Sequence, residues 1–291
     1  MSRIVYLNGA YLPARGAGVG VEDRGFLFAD GVYEVWGVRG GQLLDARGHF
    51  DRLKRSLREL EIQSPLSEAA LALVLREVLR RNRLRDGMLY LQITRGEAPR
   101  DFAFPPATTA ATIMIMAKPV DLKAQERRAQ TGVAVSVQPD IRWGRCDIKS
   151  VSLLPNVLAK ESAKRAGAYE ALLMDRDGQI TEGASSSFWI VGQDGRLRTR
   201  DLGANILPGV TRAALIALTQ SRQMQLEESG FSLLEAQGAR EAFLTSASAG
   251  VLPVIQIDGV MIGDGRPGPV SLALRAAYRE ASALRIASAR D

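Results

Sequence analysis

The stretch Arg142-Trp143-Gly144-Arg145-Cys146-Asp147-Ile148-Lys149-Ser150, running on into Val151, Leu153 and Leu154, holds a lysine unlike the others in this chain. There are six lysines against thirty-two arginines. Lys54, Lys160 and Lys164 sit in charge-rich helical patterns, and Lys118 and Lys123 in a polar connector. Lys149 instead has Ile148, Val151, Leu153 and Leu154 around it, and an ammonium withdrawn from water in this way has a lowered pKa. Such a lysine can attack a carbonyl carbon and form a Schiff base. Spacing alone favours the plainer reading, a lysine at a strand end that pairs with Asp147 or snorkels to the surface.

Upstream of that stretch, residues 4–12 read as a strand pair about Asn8-Gly9, and residues 31–38 and 42–44 as a second pair about Gly40-Gly41. Phe50, Leu53, Leu57 and Leu60 recur at three- and four-residue intervals, which predicts a helix over 49–61. Another helix is expected over 67–83, capped by Ser67 with Glu68 in its first turn. Strands at 88–95 and 112–117 complete an α+β unit spanning 1–118. Residues 119–132 are charged and poor in apolar side chains, the pattern of an interdomain connector.

Residues 133–291 then read as a larger mixed α/β domain. Strands are expected at 133–137, 171–174, 188–191, 242–245 and 254–257, and helices at 155–166, 211–228 and from Pro269 onward. Asp175-Arg176-Asp177-Gly178 reads as a turn before Ile180.

A length of 291 residues accommodates two domains of ordinary size. No run of eighteen apolar residues occurs, and the N-terminus lacks a signal-peptide profile, so a soluble cytoplasmic protein without a membrane partner is expected. One cysteine and one histidine argue against an internal disulfide, a cysteine zinc cage and a histidine-bound metal. The net charge of +6 raises nucleic acid as a partner, but carboxylates interrupt the arginines and no nucleic-acid motif is present. The excess reads as solvated faces plus anion sites, with no nucleic acid bound.

Three further stretches accompany the lysine segment: His49-Phe50-Asp51-Arg52-Leu53, Thr181-Glu182-Gly183-Ala184-Ser185-Ser186-Ser187 and Leu207-Pro208-Gly209-Val210-Thr211-Arg212. Gly209, Val210 and Thr211 precede an apolar-periodic helix, whose free N–H groups make an anion site, although Thr211 also reads as an ordinary N-cap. Tyr33, Val35 and Gly37 alternate along a strand and share one face. Arg100 lies in a Gly- and Pro-bearing loop with Phe102 two residues on.

In this order, from Val5 to about Gly259, the motifs resemble the class IV aminotransferases, a pyridoxal 5'-phosphate family, and within it the D-amino acid transaminase group most closely. The resemblance implies a two-domain α+β protein of PLP fold type IV, a homodimer, in which Lys149 holds the cofactor and transfers the proton. It implies Glu182 as partner of the ring nitrogen and Leu207 as the residue packed on the ring. Arg52, Gly209, Val210, Thr211, Ser246 and Ala247 would hold the phosphate, Ala247 through its backbone alone. His49, three residues before Arg52, reads equally as a structural residue or a phosphate contact. Tyr33, Val35 and Gly37 would line the substrate site. The loop near Arg100 would cross the dimer interface to hold the substrate carboxylate, with Phe102 where the group has histidine and Gly37 where it has lysine. The expected partners are a D-amino acid donor and a 2-oxo acid acceptor, with side activity on primary (R)-amines. Branched-chain aminotransferase, (R)-amine transaminase and aminodeoxychorismate lyase are alternatives on the same fold. A non-catalytic anion- or nucleic-acid-binding protein is the alternative of another class.

Overall fold

The computed structural model describes residues 3–288. The chain forms two compact units, Met1–Asp121 with Ile148–Ser152, and Leu122–Asp147 with Leu153–Asp291.

In the first unit, β1 (Ile4–Leu7) and β2 (Ala10–Pro13) form the expected hairpin, with Asn8 and Gly9 both at positive φ. Then come α1 (Arg24–Phe28), β3 (Gly31–Arg39), β4 (Gln42–Leu43), α2 (Ala46–Glu59), α3 (Glu68–Asn82), β5 (Gly87–Thr94) and β6 (Thr112–Pro119). The strands form an antiparallel sheet in the order β2-β1-β6-β5-β3-β4. Alternation along β3 sends Val32, Glu34, Trp36 and Val38 into the core, where Phe50, Leu53 and Leu57 of α2 meet them. Burying each such apolar side chain contributes about 1.5–3 kcal/mol. Tyr33 and Val35 lie on the opposite, half-buried face, in register with Gln92 and Tyr90 of β5.

The second unit contains α4 (Leu122–Thr131), β7 (Val133–Pro139), α5 (Leu154–Arg165), β8 (Glu170–Met174), β9 (Ile180–Gly183), β10 (Ser187–Val191), β11 (Leu197–Thr199), α6 (Val210–Ser221), β12 (Leu226–Glu228), α7 (Leu233–Gln237), β13 (Glu241–Ser246), β14 (Gly250–Ile257), β15 (Val260–Met261) and α8 (Pro269–Ser288). Its mixed sheet runs β12-β11-β10-β13-β14-β7-β8-β9, with β15 paired to β14. The β7-β8, β7-β14 and β11-β12 pairs are parallel.

Two expectations change. Residues 119–132 are helical over Leu122–Thr131, and that helix groups with the second unit; among its residues only Ala129 is buried, which explains a polar sequence. The helix expected over 211–228 ends at Ser221. Gln223 takes a positive φ, and Leu226–Glu228 leaves as a strand paired with Leu197–Thr199. No described helix is long and apolar enough to cross a membrane.

Candidate active site

In the first unit, the segment Ile148–Ser152 lies along the start of β3. The amide of Tyr33 donates to the Lys149 carbonyl at 2.9 Å, and the amide of Val151 to the Gly31 carbonyl at 3.0 Å. The Lys149 amide donates to Ser56 Oγ at 3.2 Å. Lys149 Nζ sits 4.1 Å from the centre of the Tyr33 ring, which itself stacks on Tyr90 at 5.6 Å. Burial and the neighbouring Tyr33 push the Tyr90 phenol up to about 12, so it is a neutral donor at pH 7, bonded to Gln92. The apolar surroundings expected of Lys149 are only partly present. Ile148 is in the core, but Leu154, the first residue of α5, is 67% exposed, and Lys149 is half-buried against an aromatic ring.

Arg52 is buried, and its guanidinium grips a carboxylate that the sequence reading missed. Nε donates to Glu34 Oε1 at 2.7 Å and Nη2 to Oε2 at 2.9 Å. His49 Nδ1 lies 2.8 Å from Glu34 Oε2. Burial works to raise the Glu34 pKa, but the Arg52 charge and the bonds from His49 and Arg52 outweigh it and hold it at about 2. Burial also drives His49 down, against the pull of Glu34. His49 is therefore neutral with its proton on Nδ1, and of its two readings the structural one is what this geometry displays. A charged residue at a core-facing position of β3 was the available signal, because a buried carboxylate requires partners.

Tyr33, Val35 and Gly37 lie on one strand face as expected, and Tyr33 is the one that meets Lys149. Arg100 is exposed, its guanidinium 5.3 Å from the Phe28 ring and 5.6 Å from the Phe102 ring.

In the second unit, Glu182 on β9 is 6% exposed, and its Oε1 accepts from Arg142 Nη1 and, at 3.1 Å, from the Leu207 amide. Arg142 also donates to Asp140 from Nε and Nη2, at 2.9 and 2.7 Å, and to the Asn205 carbonyl at 2.9 Å. Burial opposes the charge on Arg142, but Asp140 and Glu182 more than restore it and its pKa is raised. Asp140, despite burial, is lowered by Arg142 and by a bond from Thr181. Glu182 is thus a fixed carboxylate, held by a guanidinium and an amide. Asp140 and Arg142 were not foreseen as its supports, since the partners stand 40 residues apart in the chain.

Gly209 is the N-cap of α6 and makes no side-chain cap bond; Val210 opens the helix and Thr211 follows. The Thr211 hydroxyl is buried and among the described residues has no hydrogen-bond partner. A Cβ on Gly209 would come 2.7 Å from Ser187 Oγ, so glycine permits the close approach of this turn to β10. Ser187 pairs with Thr245, which brings Ser246 and Ala247 to the same end of the sheet. Ser246 Oγ accepts from the Ala249 amide at 3.2 Å, shaping a tight turn. An unpartnered hydroxyl at an uncapped helix N-terminus, with a second small-residue turn at the same end of the sheet, is an arrangement that can hold an anion.

The sequence matches the family model described as Amino-transferase class IV over residues 31–257. It is 41% identical over 271 residues to a D-alanine aminotransferase of Bacillus licheniformis, covering 92% of this chain and 93% of that protein. A D-alanine aminotransferase of Staphylococcus haemolyticus is 37% identical over 276 residues, 95% of this chain and 96% of its own. The crystal structure of the Escherichia coli branched-chain amino acid aminotransferase aligns with a TM-score of 0.89 at 25% identity, covering 97% of this chain and 95% of that one. That of a branched-chain aminotransferase from Thermoproteus uzoniensis with norvaline aligns with a TM-score of 0.82 at 25% identity over 96% and 94%.

Proposed function

The chain belongs to the class IV aminotransferases, and from that premise we propose that it transfers an amino group from a D-amino acid to a 2-oxo acid. It is a pyridoxal-phosphate enzyme, and the unpartnered Thr211 hydroxyl at the start of a twelve-residue helix fits a bound phosphate. The cofactor supplies an aldehyde carbon for amines and a ring that accepts electrons from the substrate's α-carbon.

The protein's own groups then have these roles. Lys149 Nζ anchors the cofactor and, once free, takes up and returns the proton at the α-carbon. Glu182, kept in place by Arg142 and the Leu207 amide, would keep the ring nitrogen protonated, and Leu207 would pack on the ring. Gly209, Val210, Thr211, Ser246, Ala247 and Arg52 hold the phosphate. Tyr33, Val35 and Gly37 line the substrate side.

Arg100 carries the substrate assignment: an exposed guanidinium beside two aromatic rings is a ready anchor for a carboxylate. Phe102 beside it favours apolar side chains. The loop is proposed to work across a homodimer interface. Phe26, Phe102 and Phe104 are 77, 80 and 59% exposed, aromatic surface that a second copy of the chain would cover. A cytoplasmic setting belongs to the same proposal; the one cysteine, Cys146, is a buried thiol, which suits a reducing compartment.

A half-reaction panel tests this reading. Cofactor absorbance should change with D-alanine and other apolar D-amino acids, and more weakly with primary (R)-amines. The structural likeness to branched-chain aminotransferases supplies the second reading, and faster conversion of L-leucine or L-valine than of D-alanine would favour it.

A further inference from the structure

We propose that Arg24 is a positioning residue that presents Arg100 to the substrate carboxylate, a role that rests on the reading of Arg100 as the carboxylate anchor. Arg24 opens the five-residue helix α1 and is 3% exposed. Its Nη1 donates to the Asp101 carbonyl at 2.6 Å and its Nη2 to the Phe102 carbonyl at 3.4 Å. These are the two residues that follow Arg100, so one planar fork fixes the direction in which the chain leaves it.

The fork is itself fixed. Arg24 Nε donates to Asp30 Oδ2 at 2.8 Å, and Arg95, at the other end of the same loop, donates to both Asp30 oxygens at 2.7 and 3.1 Å. Arg95 also donates to the carbonyls of Leu60 and Glu61, which ties the loop to the end of α2. Between Arg95 and Arg100 the chain turns at Gly96, φ +97°, where a Cβ would come 2.0 Å from the Ala110 carbonyl oxygen. Phe28, at the end of α1, completes the support. Its ring lies 5.5 Å from that of Phe102, with the Arg24 guanidinium at 4.8 Å and the Arg100 guanidinium at 5.3 Å.

The loop is thus buried and hydrogen-bonded at its base and exposed at its tip. A preset arginine binds a carboxylate without first being ordered, which favours affinity. Lysine at position 24 would keep the charge beside Asp30 but has no fork to hold two carbonyls. The grip should therefore appear in KM for carboxylate substrates and leave kcat alone.

The test compares wild-type holoenzyme with Arg24→Lys, Arg100→Leu and the double variant, using D-alanine and a primary (R)-amine that lacks a carboxylate. Arg24→Lys should raise KM for D-alanine about tenfold, since small misplacements of a binding group are costly. Its kcat and its KM for the amine should stay at wild-type values. In the Arg100→Leu background, Arg24→Lys should add nothing to the D-alanine KM. An unchanged D-alanine KM in Arg24→Lys, while Arg100→Leu raises it, overturns the proposal. So does an equal rise for D-alanine and the amine, which would mark Arg24 as merely structural. If Arg100→Leu itself leaves the D-alanine KM unchanged, the anchor reading fails instead. A crystal structure of wild-type holoenzyme with propionate needs no variant to fold: Arg24 should hold the Asp101 and Phe102 carbonyls beneath a carboxylate on Arg100. A fork turned away from both carbonyls would overturn the proposal there as well.

Discussion

Arg52 meets both carboxylate oxygens of Glu34, and Glu34 has no exposure to solvent. Removing one partner of a buried ion pair leaves the other charge without compensation, at a penalty of about 3–5 kcal/mol. Glu34→Gln should therefore lower the unfolding free energy by about 3 kcal/mol and weaken cofactor binding through a misdirected Arg52. Urea unfolding and cofactor titration check this. An unchanged urea midpoint would show that Arg52 finds another partner.

The same pair sets a pH dependence. Glu34 is depressed from 4.5 to about 2, so its contribution, about 3 kcal/mol, is complete above pH 4.5 and lost as pH falls towards 2. His49 is depressed below 6.5, so the unfolded chain gains its proton first and stability already declines below that pH. Both groups act with the same sign. Urea midpoints across the acid range should fall in two stages, and His49→Asn should remove the upper one. A flat profile down to pH 4.5 would contradict the assignment of a neutral buried His49.

Thr211→Val replaces an unpartnered buried hydroxyl by a methyl of the same shape. The cofactor-free protein should be as stable as the parent or slightly more so, because a buried donor without a partner is unfavourable. Affinity for pyridoxal phosphate should fall by about one to two decades, the worth of a hydrogen bond to a charged group. Thermal melts and equilibrium dialysis separate the effects; full affinity would remove Thr211 from the phosphate site.

Lys149→Ala should slow turnover by about 10⁴-fold or more, since the proton-transfer group is lost along with the anchor. The fold should persist, because the Lys149 backbone bonds to Tyr33 and Ser56 do not depend on the side chain. Single-turnover rates and circular dichroism provide the check. Near-normal turnover would rule out Lys149 as the reacting amine.

Arg100→Leu should raise KM for D-alanine by about one to two decades, the range expected for a charge-assisted bond. A primary (R)-amine never uses that charge, so its KM should hold. Saturation curves for the two substrates decide the point, and parallel losses would show that Arg100 supports the loop without touching substrate.

Periodic elements were legible in the sequence. The hairpin at Asn8-Gly9, the α2 face of Phe50, Leu53 and Leu57, and the Ser67 cap of α3 follow from local rules. Helix α4 was not, because one buried alanine leaves no apolar stripe. Nor was α1, five residues containing a glycine, whose importance lies in Arg24 contacts 77 and 78 residues away. The residues proposed for the site come from motifs visible in the sequence, whereas the groups that hold Glu182 and Arg52 in place do not. The core-facing place of Glu34 on β3 was readable, but its partners His49 and Arg52 meet it only after folding, just as Arg142 meets Glu182 across 40 residues.

Ile148–Ser152 completes the first unit although residues 122–147 lie in the second. On a ribosome, then, the N-terminal unit remains unfinished when its first 121 residues have emerged. The stretch at Gly31 and Tyr33 that Lys149 and Val151 will bond is an open strand edge until residue 152 is released. Closing a gap of that length slows folding, and an exposed edge invites mispairing between nascent chains. The placement that gives Lys149 its rigid backbone thus ties the enzyme's assembly to the order and pace of translation.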